Sequence, residues 1–372
     1  MHRTRIVLLL CLFACGRGNP PPKPLEHIAL PSGALLDPYD ASKPGEARPL
    51  YTAQFGGRVY ATLSNINPGT FAPAGPGFLA SIDPLTGQVD AINLGGTDRH
   101  RCMNPGVVRQ DSQKLYVACA GDFTGTVAGG RGLFEVDPST RSVTRGLVTG
   151  AGYVPSGVAV TATKIWLGDG GATPQLISVD RTTFAAADGA DAGHPPIPVP
   201  CPSTGQFPFV PYVGIVNGDL YALCASTAAG MLARFDAQTG AAKGSVAVGA
   251  QPTEFAATGD GRIAVVNSND NTLTLVTPGA TLAAQLGLTF KSSTATLQDV
   301  KARGRFVYTV ASSSNTVQKI DLAAAGGPKV IAEANTGLNS NPFNLEALDD
   351  DTVVVVNYAT SDVVAPALTT VQ

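Results

Sequence analysis

The stretch AQPTEFAATGDGRIAVVNSNDNTLTLVTPG, residues 250–279, carries one structural unit in a single short passage. A proline opens it, followed by an apolar pair that suits the start of a strand, where no ladder donor is needed. DGR makes a tight turn, IAVVNS is a continuous apolar run rich in β-branched residues, NDN turns again, and TLTLV alternates at a period of two. No helical periodicity intervenes. A three-strand unit of this size cannot bury its own faces, so copies of it are expected elsewhere in the chain.

Copies are present. The central run recurs as RVYATL (58–63), LYVACA (115–120), KIWLGD (164–169), LYALCA (220–225), IAVVNS (263–268), FVYTVA (306–311) and TVVVVN (352–357), spaced about 43 to 56 residues apart. That period fits a four-stranded propeller blade. Pro49, Pro105, Pro155, Pro211, Pro252 and Pro342 each precede a run by a near-constant distance, with Leu297-Gln298-Asp299-Val300 in the sixth repeat. After most runs comes an aspartate turn: IDPLTGQV (82–89), VDPSTRSV (136–143), VDRTTFAA (179–186), FDAQTGAA (235–242) and KIDLAAAGG (319–327). An aspartate there bonds the backbone two residues on, which makes these carboxylates structural.

The P-x-x-φ-A, DGR-φ-A-V-V-N-S and N-T-L-T-L-V segments of repeat five resemble the YVTN-type β-propeller repeat, and the pattern extends loosely over residues 48–372. The expected fold is all-β: a seven-bladed β-propeller of four-stranded antiparallel blades. Repeat seven has little room for a fourth strand, and EHIALPSGALL (26–36) has no other assignment. It is expected to supply that strand and close the ring, removing free edges.

The N-terminus reads as an export signal, residues 1–14, with Arg3 and Arg5 ahead of an apolar run too short to span a bilayer. Leu12-Phe13-Ala14-Cys15 resembles the bacterial lipobox, with Phe13 as its departure. The resemblance implies acylation of Cys15, palmitate included, and a cell-envelope lipoprotein facing the periplasm or the exterior. Residues 15–47 would hold the lipidated cysteine, the tether GRGNPPPKPL and the closing strand, ahead of the propeller at 48–372.

Removing Arg3 and Arg5 from 25 basic residues leaves 23 against 28 acidic ones, a balance that argues against nucleic acid as a partner. Metal chemistry wants clustered ligands, yet His27, His100 and His194 are far apart in sequence. No cofactor is implied and no catalytic motif is found; Trp166 is a lone tryptophan, unlike the repeated tryptophans of quinone-dependent propellers.

Strand polarity puts the proline entries and the loops after each central run on one face, called the top, and the aspartate turns on the bottom. Candidate top-face binding residues are Arg99, His100, Arg101, Tyr153, Phe207, Phe209, Tyr212, Glu254, Asp299, Asn344 and Glu346. They point to a monomeric, non-catalytic binding or scaffold module for an envelope protein or a glycan rather than a small molecule. The alternative is a lactonase-like hydrolase using Glu254, Asp299, Glu346 or Arg101 around the channel mouth. The insertion at 185–209 is the first place to seek a partner site.

Cys119 and Cys224 end the central strands of repeats two and four, and Cys102 and Cys201 precede the entry prolines of the same repeats. Antiparallel neighbours bring these ends together, so the pairings expected in an oxidising compartment are Cys102–Cys119 and Cys201–Cys224.

Overall fold

A computed structural model describes residues 23–32, 45–96, 98, 101–122, 130–150, 152–185, 196–290 and 296–371. The expectations for Cys15 and its tether through residue 22, for residues 33–36 of the closing segment, and for Arg99, His100 and His194 lie outside the described residues.

Each repeat forms one antiparallel sheet whose strands, A to D, run outward from a central channel. Blade one is Pro49–Phe55, Arg58–Leu63, Phe78–Ile82 and Val89–Asn93; blade two is Pro105–Gln110, Leu115–Ala120, Arg131–Asp137 and Ser142–Val148. Blade three is Pro155–Val160, Lys164–Asp169, Gln175–Asp180 and the short Ile197–Pro198, so the 185–209 insertion supplies the outer strand of its own blade. Blade four is Phe209–Val216, Asp219–Ala225, Gly230–Asp236 and Ala242–Val248, and blade five is Pro252–Ala257, Ile263–Asn267, Thr272–Thr277 and Ala283–Thr289. Blade six is Leu297–Arg303, Phe306–Ala311, Thr316–Asp321 and Lys329–Asn335, to which Thr369–Thr370 from the chain end adds a fifth strand.

Blade seven combines Pro342–Ala347, Val353–Asn357 and Asp362–Val364 with His27–Ala29 from the other end of the chain. His27 pairs with Val364 and Ala29 with Asp362, closing the ring as the sequence predicts. Ile28 is buried there among Val59, Val354, Val356 and Val363.

Buried side chains gather at the interfaces between blades. Val59, Ala61 and Leu63 of one strand B pack toward blade seven, while Tyr60, between them, packs toward blade two. Both faces of such a strand are covered, which is why the central runs are continuously apolar instead of alternating. Trp166 sits in the blade three–four interface and donates its indole N–H to the Ala237 carbonyl at 2.8 Å.

On the bottom face the aspartate turns bond as expected from their chemistry. Asp83 accepts from the Leu85 and Thr86 amides, Asp180 from those of Thr182 and Thr183, and Asp236 from those of Gln238 and Thr239. Cys102–Cys119 and Cys201–Cys224 stand at disulfide distance, with Cα separations of 5.1 and 5.4 Å.

Candidate functional site

Every strand A carries a register shift just after its entry residue, between Pro49 and Thr52, Pro105 and Val108, Pro155 and Gly157, Phe209 and Tyr212, Pro252 and Glu254, Leu297 and Asp299, and Pro342 and Asn344. A bulge re-aims the side chain that follows it. In blades five, six, seven and one that residue is Glu254, Asp299, Asn344 and Thr52, so the repeat delivers four polar groups to one level of the channel.

Strand A is the inner edge of its sheet, and the amides it turns toward the channel lack a ladder partner. The re-aimed side chains meet this need from the neighbouring blade. Asp299 Oδ2 accepts from the Leu345 amide of blade seven at 2.7 Å, and Asn344 Oδ1 accepts from the Thr52 amide of blade one at 3.0 Å. Glu254 takes a different partner: its Oε1 lies 2.8 Å from Lys301 Nζ and 3.3 Å from Arg109 Nη2, and its Oε2 accepts from Asn344 Nδ2 at 3.2 Å. Lys301 Nζ also reaches Asp299 Oδ1 at 2.7 Å. Arg109 lies over the Tyr212 ring, 4.6 Å from its centroid, and donates to the Val108 carbonyl.

Blades two, five, six and seven therefore meet at Glu254 in a plug of two cations and two carboxylates at mid-height. Glu254 and Asp299 are 1% and 0% exposed, so solvent does not share in their neutralisation. Burial raises the Asp299 proton affinity well above the ordinary carboxyl value, the adjacent Glu254 raises it further, and Lys301 opposes both. For Glu254, burial pushes upward but Lys301 and Arg109 outweigh it and hold the group below the usual value. Burial against these carboxylates leaves Lys301 raised, because Asp299 and Glu254 outweigh its own desolvation.

Two cavities flank the plug. The lower one, of about 380 Å³, is walled by Val158, Ile215, Phe255 and Ala302 and has Arg109, Lys301 and Glu346 at its polar end. Glu346 Oε1 is 3.1 Å from the Thr52 hydroxyl, and burial first of all raises its proton affinity. The upper cavity, of about 360 Å³, opens on the top face between Tyr51, Phe71, Phe209 and Tyr358, with Leu50, Ile66 and Val154 between them; no charged side chain lines it. Tyr51 and Tyr358 are braced by Phe343, at ring-centroid distances of 5.7 and 6.2 Å. Phe71, Phe207 and Leu338, in top-face connections, are 61, 76 and 85% exposed.

Of the sequence candidates, Tyr212, Glu254, Asp299, Asn344 and Glu346 converge in the channel, below the mouth. Phe209 lines the mouth and Phe207 stands on the rim. Tyr153 is instead a core residue between blades two and three, its hydroxyl donating to the Leu167 carbonyl at 2.6 Å. Arg101 lies over the Phe134 ring of blade two, 5.1 Å from the centroid, because the segment before Pro105 folds outward along that blade. Sequence reasoning missed Arg109, Lys301 and Thr52. Asp299 and Lys301 differ by two positions on one strand, so strand alternation was a signal that could have found Lys301.

Among the described residues no three His, Cys, Asp or Glu side chains gather as a metal-binding group. No protein-family model matches the chain, and no curated protein matches it in sequence. Solved structures do share the fold. Virginiamycin B lyase from Staphylococcus aureus superposes with a TM-score of 0.62 at 10% identity over 86% of this chain and 95% of that one. Kuenenia stuttgartiensis hydrazine synthase does so with a TM-score of 0.65 at 13% identity over 87% and 96%. BamB from Moraxella catarrhalis gives a TM-score of 0.52 at 14% identity over 86% and 84%. At these identities the likeness is one of fold: this chain is a seven-bladed β-propeller.

Proposed function

We propose that this chain is a lipid-anchored envelope propeller of the YVTN-like kind that binds an uncharged part of a protein or glycan in the mouth of its top face. The observation that carries this reading is the contrast between the two channel levels. The lining of the mouth offers four aromatic rings among apolar groups and the neutral polar Ser64, Asn104 and Ser156, with no charged side chain in it, the composition of a contact site. Glu254 and Asp299 below it have their oxygens engaged with Lys301, Arg109, the Asn344 side-chain amide and the Leu345 backbone amide, so these two act as a plug and not as free acids or bases. Fold neighbours with a lyase, a synthase and BamB among them leave the choice to the site. The two cysteine pairs fit an oxidising compartment, and the lipobox-like Leu12–Cys15 supports anchoring there.

The test is photocrosslinking in intact cells from a probe placed at Phe71 or Phe207 on the top rim, with Leu85 on the bottom face as the control. Discrete adducts from the top positions that a Tyr358→Ser change diminishes support the reading; equal labelling from Leu85 overturns it. Anchoring is tested separately by labelled palmitate, whose incorporation should vanish in Cys15→Ser.

A second reading, a lactonase-like hydrolase, rests on Glu346, which brings a carboxyl to the lower cavity beside Arg109 and Lys301. Turnover of any lactone or ester that Glu346→Gln abolishes would establish it in place of the first.

A further inference from the structure

Propeller blades expose the outer edge of strand D, and an unpaired edge is a template for further pairing unless something blunts it. Six blades of this ring carry such a device. Blade one has Asp90 in a short edge, ion-paired to Arg58 and Arg141. Blade two has Arg145, blade four has Lys243, and blade three has an edge of two residues ending in Pro198. Blade six carries Lys329 and Glu333 and is also covered by Thr369–Thr370. Blade seven has the three-residue His27–Ala29.

Blade five shares with blades two, four and six a register shift in its outer strand, at Gly287, but among the described residues its edge has no charge, no proline and no covering strand. Its outer strand Ala283–Thr289, AAQLGLT, is seven residues long without charge or proline, and its first four residues are exposed. Leu286, near its centre, is 63% exposed. The whole run 271–290 lacks a charged residue.

We infer that this edge is an interface, and that its occupant is a second copy of the same chain, paired antiparallel, edge to edge, across a two-fold axis. Charge decides between edges. Self-pairing of blade two about its centre would set Arg145 opposite its own symmetry mate, a destabilising arrangement, whereas AAQLGLT meets itself without a charge on either side. A two-fold contact requires a self-complementary patch, and an uncharged strand facing its own reverse is one. The Leu286 side chains, which otherwise stand in water, then lie against the partner strand. Blade six shows that an outer edge of this ring accepts an additional antiparallel strand, as Thr369 and Thr370 pair with Glu333 and Ala332.

The experiment is sedimentation of the full chain in density-matched detergent, native and with Leu286→Lys, Gln285→Lys or Val148→Lys. Val148 is an equally apolar, 58% exposed residue on the edge of blade two. The native chain and Val148→Lys should dimerise reversibly with matching constants. In either blade-five variant the two new lysines come within roughly three strand positions, about 10 Å, of each other, and dimerisation should weaken at least tenfold. A native chain that stays monomeric, or a dimer that neither blade-five variant weakens, overturns the inference.

Discussion

Replacing Lys301 with methionine keeps most of the side-chain volume while removing the cation that joins Glu254 to Asp299. Two nearly inaccessible carboxylates are then left with Arg109, 3.3 Å from Glu254, as their nearest cation. Removing one partner of a buried ion pair costs about 3–5 kcal/mol, and here the cost must depend on pH. In the native chain Asp299 already stands above the ordinary carboxyl value while Lys301 and Arg109 hold Glu254 below it; with Lys301 gone, Glu254 loses its main counter-charge and the folded pair takes up a further proton. A carboxyl raised in this way stabilises the fold below its unfolded value, about 4, and that contribution is lost as pH rises. The deficit of Lys301→Met against the native chain should thus be small at pH 4 and grow by up to about 1.4 kcal/mol per pH unit for each proton that the folded variant retains beyond the folded native chain, reaching its full size by neutral pH. Denaturant melts at pH 4.5, 6 and 7.5 can follow this through Trp166, which is fully buried at a blade interface. A deficit of the same size at every pH, or none, would refute the picture of a buried, proton-sharing plug.

Two other outcomes are open to measurement. Peptide mapping without reduction should yield Cys102–Cys119 and Cys201–Cys224 as linked pairs, and serine at both members of either pair should lower stability by about 3 kcal/mol, given sequence separations of 17 and 23 residues. Ile28→Ala should cost about 2–4 kcal/mol and make blade seven the first site of limited proteolysis; unchanged cleavage would mean that the ring does not depend on its N-terminal strand.

The blades were legible because each interface imposes the same demand: strand B is covered on both faces, so RVYATL, LYALCA and their counterparts are written as unbroken apolar runs. The cysteine pairings followed from the same geometry, since the start of strand A must lie beside the end of strand B. The plug was only half legible. Glu254, Asp299 and Asn344 stand at a fixed offset from the entry residue and could be placed by counting. Arg109 reaches Glu254 from a blade across the channel, a contact no local spacing encodes. Arg101 and Tyr153 were misplaced by position alone, because the connections before Pro105 and Pro155 leave the repeat and are governed by what they pack against. The fifth strand on blade six escaped notice for a similar reason: AL-TT-V carries no run long enough to announce a strand, and two residues suffice only because an edge is already waiting.

The closing strand also sets which face of the ring the N-terminal segment approaches. His27 lies at the bottom end of blade seven, and just before it the Leu25 amide bonds to the Pro84 carbonyl in the first aspartate turn. The chain therefore enters the ring from the underside. Position 15 lies eight steps along the chain from position 23, and fully extended these span at most about 28 Å, too little to carry an attachment point around the rim to the far side. A lipid on Cys15 would hold the aspartate turns toward the bilayer and leave Phe71, Phe207 and the aromatic mouth opening away from it, toward whatever approaches from the solvent.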